Sequence, residues 1–186
     1  PKAVFVASTG MLRRPLLEAC ACPVVNYHSG VNPAYRGING GYFALANGEP
    51  ENFGVTLHLV DLGVDTGPIL ATNRIETAAN DNIQTYMTLM AAKSQDLVVD
   101  TMARVLAGEA KPLPKSPLPS AQCYAPTLGQ YLGNGLKRGG MKGPSARLFE
   151  RALMTTARNP GSLSPNSPSS VSCPASVRRL PNPVAA

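Results

Sequence analysis

Short apolar runs and longer periodic ones divide the front of the chain into alternating strands and helices. "KAVFVAS", rich in Val, predicts a buried strand, and "CPVVNYH" a second. Between them "LRRPLLEAC" predicts a short helix, with Pro15 tolerated in its first turn. Strand, helix and strand in such quick succession predict a parallel α/β layer. "YFALANG" places apolar residues at helical spacing and stops at Gly48. "GVTLHLVD" alternates with period two and predicts a strand. "GPILATNRIET" is another, brought beside it by the short link "LGVDTG". From Asn82 to Gly108 apolar residues recur at three-to-four spacing. That predicts one long amphipathic helix, capped by Asp81 and stopped by Gly108.

Beyond Lys111 the pattern changes. "KPLPKSPLPS" has prolines too frequent for a helix or a central strand. "QCYAPTLGQYLGNGLKRGGMKG" mixes some apolar content with many glycines, and "SARLFERALMTTA" is a candidate helix. From Asn159 onward Pro and Ser dominate, and too few large apolar residues remain to offset the chain entropy, so disorder is expected. The expected division is a folded α/β part over 1–110, a Pro/Gly-rich extension with a short helix over 111–157, and a disordered tail over 158–186. The ending is also open to reading as a truncated or shifted reading frame.

Composition adds limits. The chain has 186 residues, 44% of them hydrophobic, enough for one domain with a sizeable core. No apolar run reaches membrane-spanning length, and the start lacks the pattern of a secretory signal, so a cytoplasmic location is the default. It also lacks an initiator Met. Cys20, Cys22, Cys123 and Cys173 match neither a disulfide framework nor metal-ligand spacing, and no metal is expected. The net charge of +6 is unevenly spread: residues 1–115 carry −1 and residues 116–186 carry +7. The basic tail leaves a nucleic-acid contact open, whereas nothing in the front part invites polyanions.

The chemistry concentrates in "NYHSGVNPAYRG", Asn26 to Gly37. Strand alternation sends Asn26 and His28 to the same face, at a C-terminal strand edge where open α/β sheets bind ligands. An amide donor and an imidazole there can hold an oxyanion formed when a carbonyl is attacked. Asp65, in the glycine-bounded loop "GVDTGP", is the candidate to orient His28 or to take up a proton through water. Arg36 is open to two readings, an anion ligand or a loop anchor. His58, in the middle of "VTLHLV", reads as structural.

Together these pieces resemble the catalytic half of the folate-dependent formyltransferases, the family of glycinamide ribonucleotide and methionyl-tRNA formyltransferases. The resemblance rests on "VNYHSGVNPAYRGINGGYFALANGEPENFGVTLHLVDLGVDTGPIL", Val25 to Leu70. It contains Asn-x-His, a loop ending in Tyr-Arg-Gly, a helix ending in Asn-Gly, a Gly-Val-Thr strand and a Val-Asp-x-Gly-Pro loop, in that order. The resemblance implies a Rossmann-like α/β fold, with a mostly parallel sheet flanked by helices. It implies 10-formyltetrahydrofolate as formyl donor and an amine acceptor, a small molecule or an aminoacyl-tRNA. Asn26 and His28 would stabilise the charge on the formyl oxygen, and Asp65 would help move the proton. Met11 and Leu12 would line the pterin pocket, opposite Leu62, Gly63 and Val64. Arg36 and Gly37 would stand on the acceptor side.

Three departures qualify the resemblance. The family carries a further α/β segment ahead of this start, without which the first strand presents an unpaired edge and the chain alone is expected to be unstable or inactive. Ser29 and Gly30 stand where Pro and Ser are usual. The Pro/Ser-rich tail does not match the folded C-terminal barrel of the methionyl-tRNA members. Two other functions remain in view: a deformylase with water as acceptor, and a non-catalytic remnant of the fold.

Overall fold

The computed structural model describes residues 1–77 and 85–137. Its central feature is a four-stranded sheet of β1 (Val4–Ala7), β2 (Val24–His28), β4 (Gly54–Leu59) and β5 (Ile69–Arg74), in the order β1-β2-β4-β5. β1 and β2 run parallel, joined by α1 (Arg14–Ala19), as the strand–helix–strand pattern requires. β4 pairs antiparallel with β2, and β5 antiparallel with β4. A two-stranded parallel ladder joins β3 (Arg36–Gly37) to β6 (Gln122–Cys123).

The two faces of the sheet differ in kind. Val25 and Tyr27 of β2 and Leu57 and Leu59 of β4 share one face by register and alternation. Helix α4 (Gln95–Leu106) packs there through Leu97, Val98, Met102 and Val105. The opposite face carries Asn26, His28, Thr56 and His58, with Asn26 opposite His58 and His28 opposite Thr56. β4 is therefore buried from Gly54 to His58 although its sequence alternates. Its polar positions face the loop after β2 rather than water: Thr56 Oγ1 donates to Gly30 O at 2.8 Å and accepts from Asn32 N at 3.0 Å.

Helix α2 (Gly40–Asn47) buries seven of its eight residues, because its apolar side chains point all round. It forms a second core with Phe53, Val55, Ile75, Tyr86 and Met90.

The long helix expected over 82–108 is two helices among the described residues, α3 (Tyr86–Lys93) and α4. Ser94 interrupts it: its hydroxyl donates to Met90 O at 2.6 Å and meets Tyr27 OH at 3.1 Å. A serine bonding back to the preceding turn competes with the helical ladder. The expected cap Asp81 lies outside the described residues. The stop at Gly108 is present, with φ +74, Gly108 N–H on Val105 O and Glu109 N–H on Arg104 O. Helix α5 (Leu128–Lys137) was not expected from the glycine-rich sequence. Thr127 and Gln130 start it with a reciprocal cap: Gln130 N donates to Thr127 Oγ1 at 3.2 Å and Thr127 N to Gln130 Oε1 at 2.9 Å. The candidate helix "SARLFERALMTTA" and the Pro/Ser-rich tail lie outside the described residues.

Candidate active site

β2 and β4 deliver Asn26, His28 and His58 to one face, and the loop after β4 folds Asp65 over them. Asp65 has a left-handed backbone, φ +50, and its carboxylate is the hub. Oδ1 accepts from Asn26 Nδ2 at 3.0 Å and lies 3.2 Å from His58 Nε2. Oδ2 accepts from Gly37 N–H at 2.8 Å and lies 3.4 Å from His28 Nδ1. Asn26 Nδ2 also lies 3.1 Å from His58 Nε2.

Each imidazole is fixed at its far nitrogen. His28 Nε2 donates to Tyr35 O at 2.6 Å, and His58 Nδ1 to Leu59 O at 2.8 Å. The second nitrogen of each ring, His28 Nδ1 and His58 Nε2, therefore faces Asp65. Burial dominates at His28 and holds its pKa below the ordinary 6.5, although the Asp65 charge pulls the other way. Burial also pushes the Asp65 carboxyl up, but its contacts with His58, His28 and the Gly37 N–H outweigh it and hold the pKa at about 2. The carboxylate is thus a permanent anion near neutrality.

These groups form the floor of a cleft of about 610 Å³. The lining also includes Val6, Ser8 to Leu12, Val60, Asp61, Gly63 and Val64, at and beyond the ends of β1 and β4, together with Gly37 to Asn39, Met87 and Gln122 to Tyr124. Asn26, His28 and Asp65 thus meet in one place, and Met11, Leu12, Gly63, Val64 and Gly37 line the same cleft. Leu62 is 51% exposed and outside that lining. Arg36 is also outside it, only 2% exposed, with Nη1 donating to Val64 O at 2.7 Å and Nε to Ser120 Oγ at 3.0 Å.

Two parts of the site escaped the sequence reading. His58 was readable only by pairing Asn-x-His antiparallel with Thr-x-His, which sets Asn26 against His58. Gln122, Cys123 and Tyr124 join through β6, a strand too short to leave a periodic signal.

Comparison with known proteins places the chain in a family. A family model described as formyl transferase matches residues 3–102. The methionyl-tRNA formyltransferase of Pelobacter propionicus is 33% identical over 129 residues, covering 69% of this chain and 40% of that protein. That of Trichlorobacter lovleyi is 34% identical over 125 residues, covering 67% of this chain and 39% of its own. This chain therefore spans about 40% of the length of these relatives. The formyltransferase PseJ of Anoxybacillus kamchatkensis superposes with a TM-score of 0.60 at 17% identity, over 77% of this chain and 74% of that one, a likeness of fold. With more than half of its residues matched by the family model, the chain belongs to the formyl transferase family.

Proposed function

We propose that this chain carries the reaction centre for transferring a formyl group from 10-formyltetrahydrofolate to an amine, in a cytoplasmic enzyme. The acceptor is a small-molecule amine or an aminoacyl-tRNA. The observation that supports this best is the single carboxylate of Asp65, held between Asn26, His28, His58 and the Gly37 N–H on the floor of an open cleft. Residues 1–110 are the catalytic part, to which β6 adds part of the cleft lining.

The lining suits the donor. A pterin is flat, with apolar faces and an amide-like edge. Val6, Met11, Leu12, Val60 and Val64 offer apolar surface, and the main chain of 61–64 offers polar groups for such an edge. When bound, the donor supplies an activated one-carbon carbonyl.

Each polar residue then has a distinct task. Asn26 is the neutral donor for the oxygen on which charge develops, its amide turning from His58 Nε2 to that oxygen. His28, kept neutral by burial, offers the Nδ1 lone pair to the proton leaving the amine, and that proton goes to the donor nitrogen as its bond to the formyl carbon breaks and tetrahydrofolate departs. Asp65 is too weak a base for that task, with its pKa at about 2, and instead stabilises the imidazolium once formed. This favours the orienting role for Asp65 over direct proton uptake.

The test is to incubate the full-length protein with 10-formyltetrahydrofolate and follow release of tetrahydrofolate with and without candidate amines. Release that requires an amine supports transfer. Release with water alone makes the protein a deformylase, and no release in either case makes it a remnant of the fold.

A further inference from the structure

We propose that Arg36 is a positioning residue for Asp65, anchored from behind by Ser120, and not a ligand for the acceptor. The proposal rests on the reading of Asp65 as the anionic partner in formyl transfer.

The geometry around Asp65 carries the inference. Its left-handed backbone, φ +50, is uncommon for a residue with a side chain and persists only where neighbours hold it. The carbonyls on both sides of that backbone are pinned. Arg36 Nη1 donates to Val64 O at 2.7 Å, and Asn32 Nδ2 donates to Asp65 O at 3.0 Å. The next residue after Arg36 supplies the Gly37 N–H that holds Asp65 Oδ2 at 2.8 Å. One short strand, β3, therefore fixes both the main chain before Asp65 and its carboxylate.

Arg36 is itself held by a segment distant in sequence. Its Nε donates to Ser120 Oγ at 3.0 Å, and its own N–H donates to Ala121 O at 3.0 Å. Ile38 N–H on Cys123 O and Ala121 N–H on Pro33 O complete the clip. Ser120 lies outside the family match over 3–102, so a segment beyond that match sets the geometry of the reaction centre. A guanidinium bridging Val64 and Ser120 uses its planar fork, which a lysine ammonium cannot reproduce.

The experiment compares Arg36→Met, Arg36→Lys and Ser120→Ala in the full-length protein. Two quantities are read: kcat and the donor KM in the transfer assay, and the titration of the Asp65 carboxyl by carbon NMR without any substrate. Arg36→Met is expected to lower kcat by about ten- to a hundredfold, since small misplacements near a reacting group have effects of that order. Its donor KM should stay within about twofold, because a group acting only through another leaves ground-state binding in place. Asp65 should titrate at higher pH than in the parent. Arg36→Lys should fall between, and Ser120→Ala should shift both readouts the same way by less.

An unchanged Asp65 titration in folded Arg36→Met overturns the proposal. So does a raised donor or acceptor KM at unchanged kcat, which would make Arg36 a ligand. If Arg36→Met does not fold, Ser120→Ala decides alone: a shifted Asp65 titration supports the proposal and an unshifted one overturns it. If the parent protein transfers no formyl group while the titration still moves across the series, the positioning role stands and the reaction assignment falls.

Discussion

Asn26 and His58 stand opposite each other on β2 and β4 and share one oxygen, Asp65 Oδ1, at 3.0 and 3.2 Å. That sharing ties His58, read as structural, to two of the residues proposed for formyl transfer. His58 Nδ1 is committed to Leu59 O, so its other nitrogen is directed at the amide and the carboxylate. Replacing it by Ala removes the strongest of the contacts that hold the Asp65 pKa down. His58→Ala is expected to raise that pKa and to lower kcat by about tenfold or more, given the usual weight of groups that set proton transfer. A variant with wild-type kcat would return His58 to the role of core filler.

Asp65→Asn tests the hub directly. The amide keeps the size of the carboxylate and can still accept from Gly37 N–H. It cannot stabilise an imidazolium at His28, and its NH₂ faces donors or acceptors arranged for an anion. Turnover should fall by about a hundredfold or more while tetrahydrofolate affinity stays nearly unchanged. Equilibrium binding and single-turnover kinetics separate the two. Full activity would leave Asp65 as a turn residue only.

The sequence made some of this visible and hid the rest for definite reasons. β1, α1, β2, α2 and both strands β4 and β5 lie where apolar spacing put them. The Ser94 break was hidden, since serine is common within helices and only its contact with Tyr27 marks it out. His58 looked like filler because an alternating strand implies a wet second face, whereas here that face is roofed by the loop from Ser29 to Arg36. Arg36 drew attention as a cation in a glycine-rich loop. Its Nε instead bonds to Ser120 Oγ, 84 residues away, and no local pattern encodes such a distance.

Acid should destabilise the fold in two stages. His28 has its pKa lowered by burial, so below the ordinary 6.5 the unfolded imidazole takes up a proton that the folded one refuses. Stability is then lost as pH falls below 6.5. Asp65 ionises at about 2 in the fold against an ordinary 3.8. Its contribution is present above 3.8 and lost as pH falls from there toward about 2. The shift corresponds to about 2 kcal/mol. Urea unfolding across this pH range should show both losses, and Asp65→Asn should remove the lower one. A lower limb unchanged by that substitution would detach the shift from Asp65.

Gly30 gives the sharpest test of packing beneath the site, because a single methyl group there meets the machinery of His28. A Cβ on Gly30 would lie 2.6 Å from His28 Nε2, overlap Tyr35 O, and come within 3.2 Å of the Gly40 Cα. Tyr35 O is the acceptor that fixes the His28 ring, so the methyl would intrude on that hydrogen bond. There is no room here for a side chain without moving the loop. Gly30→Ala is expected to destabilise the protein by about 1–3 kcal/mol, the ordinary range for overpacking. It should also lower kcat, because His28 must turn or shift. Gly133→Ala is the control: among the described residues nothing lies within 4 Å of its Cβ, and it sits inside α5. There alanine should leave activity unchanged and stabilise the helix by up to about 1 kcal/mol. Urea denaturation and steady-state kinetics on the two variants discriminate. If Gly30→Ala matched the control in both, the close approach of β2, Tyr35 and α2 would be looser than these distances state, and His28 would have no fixed tautomer to rely on.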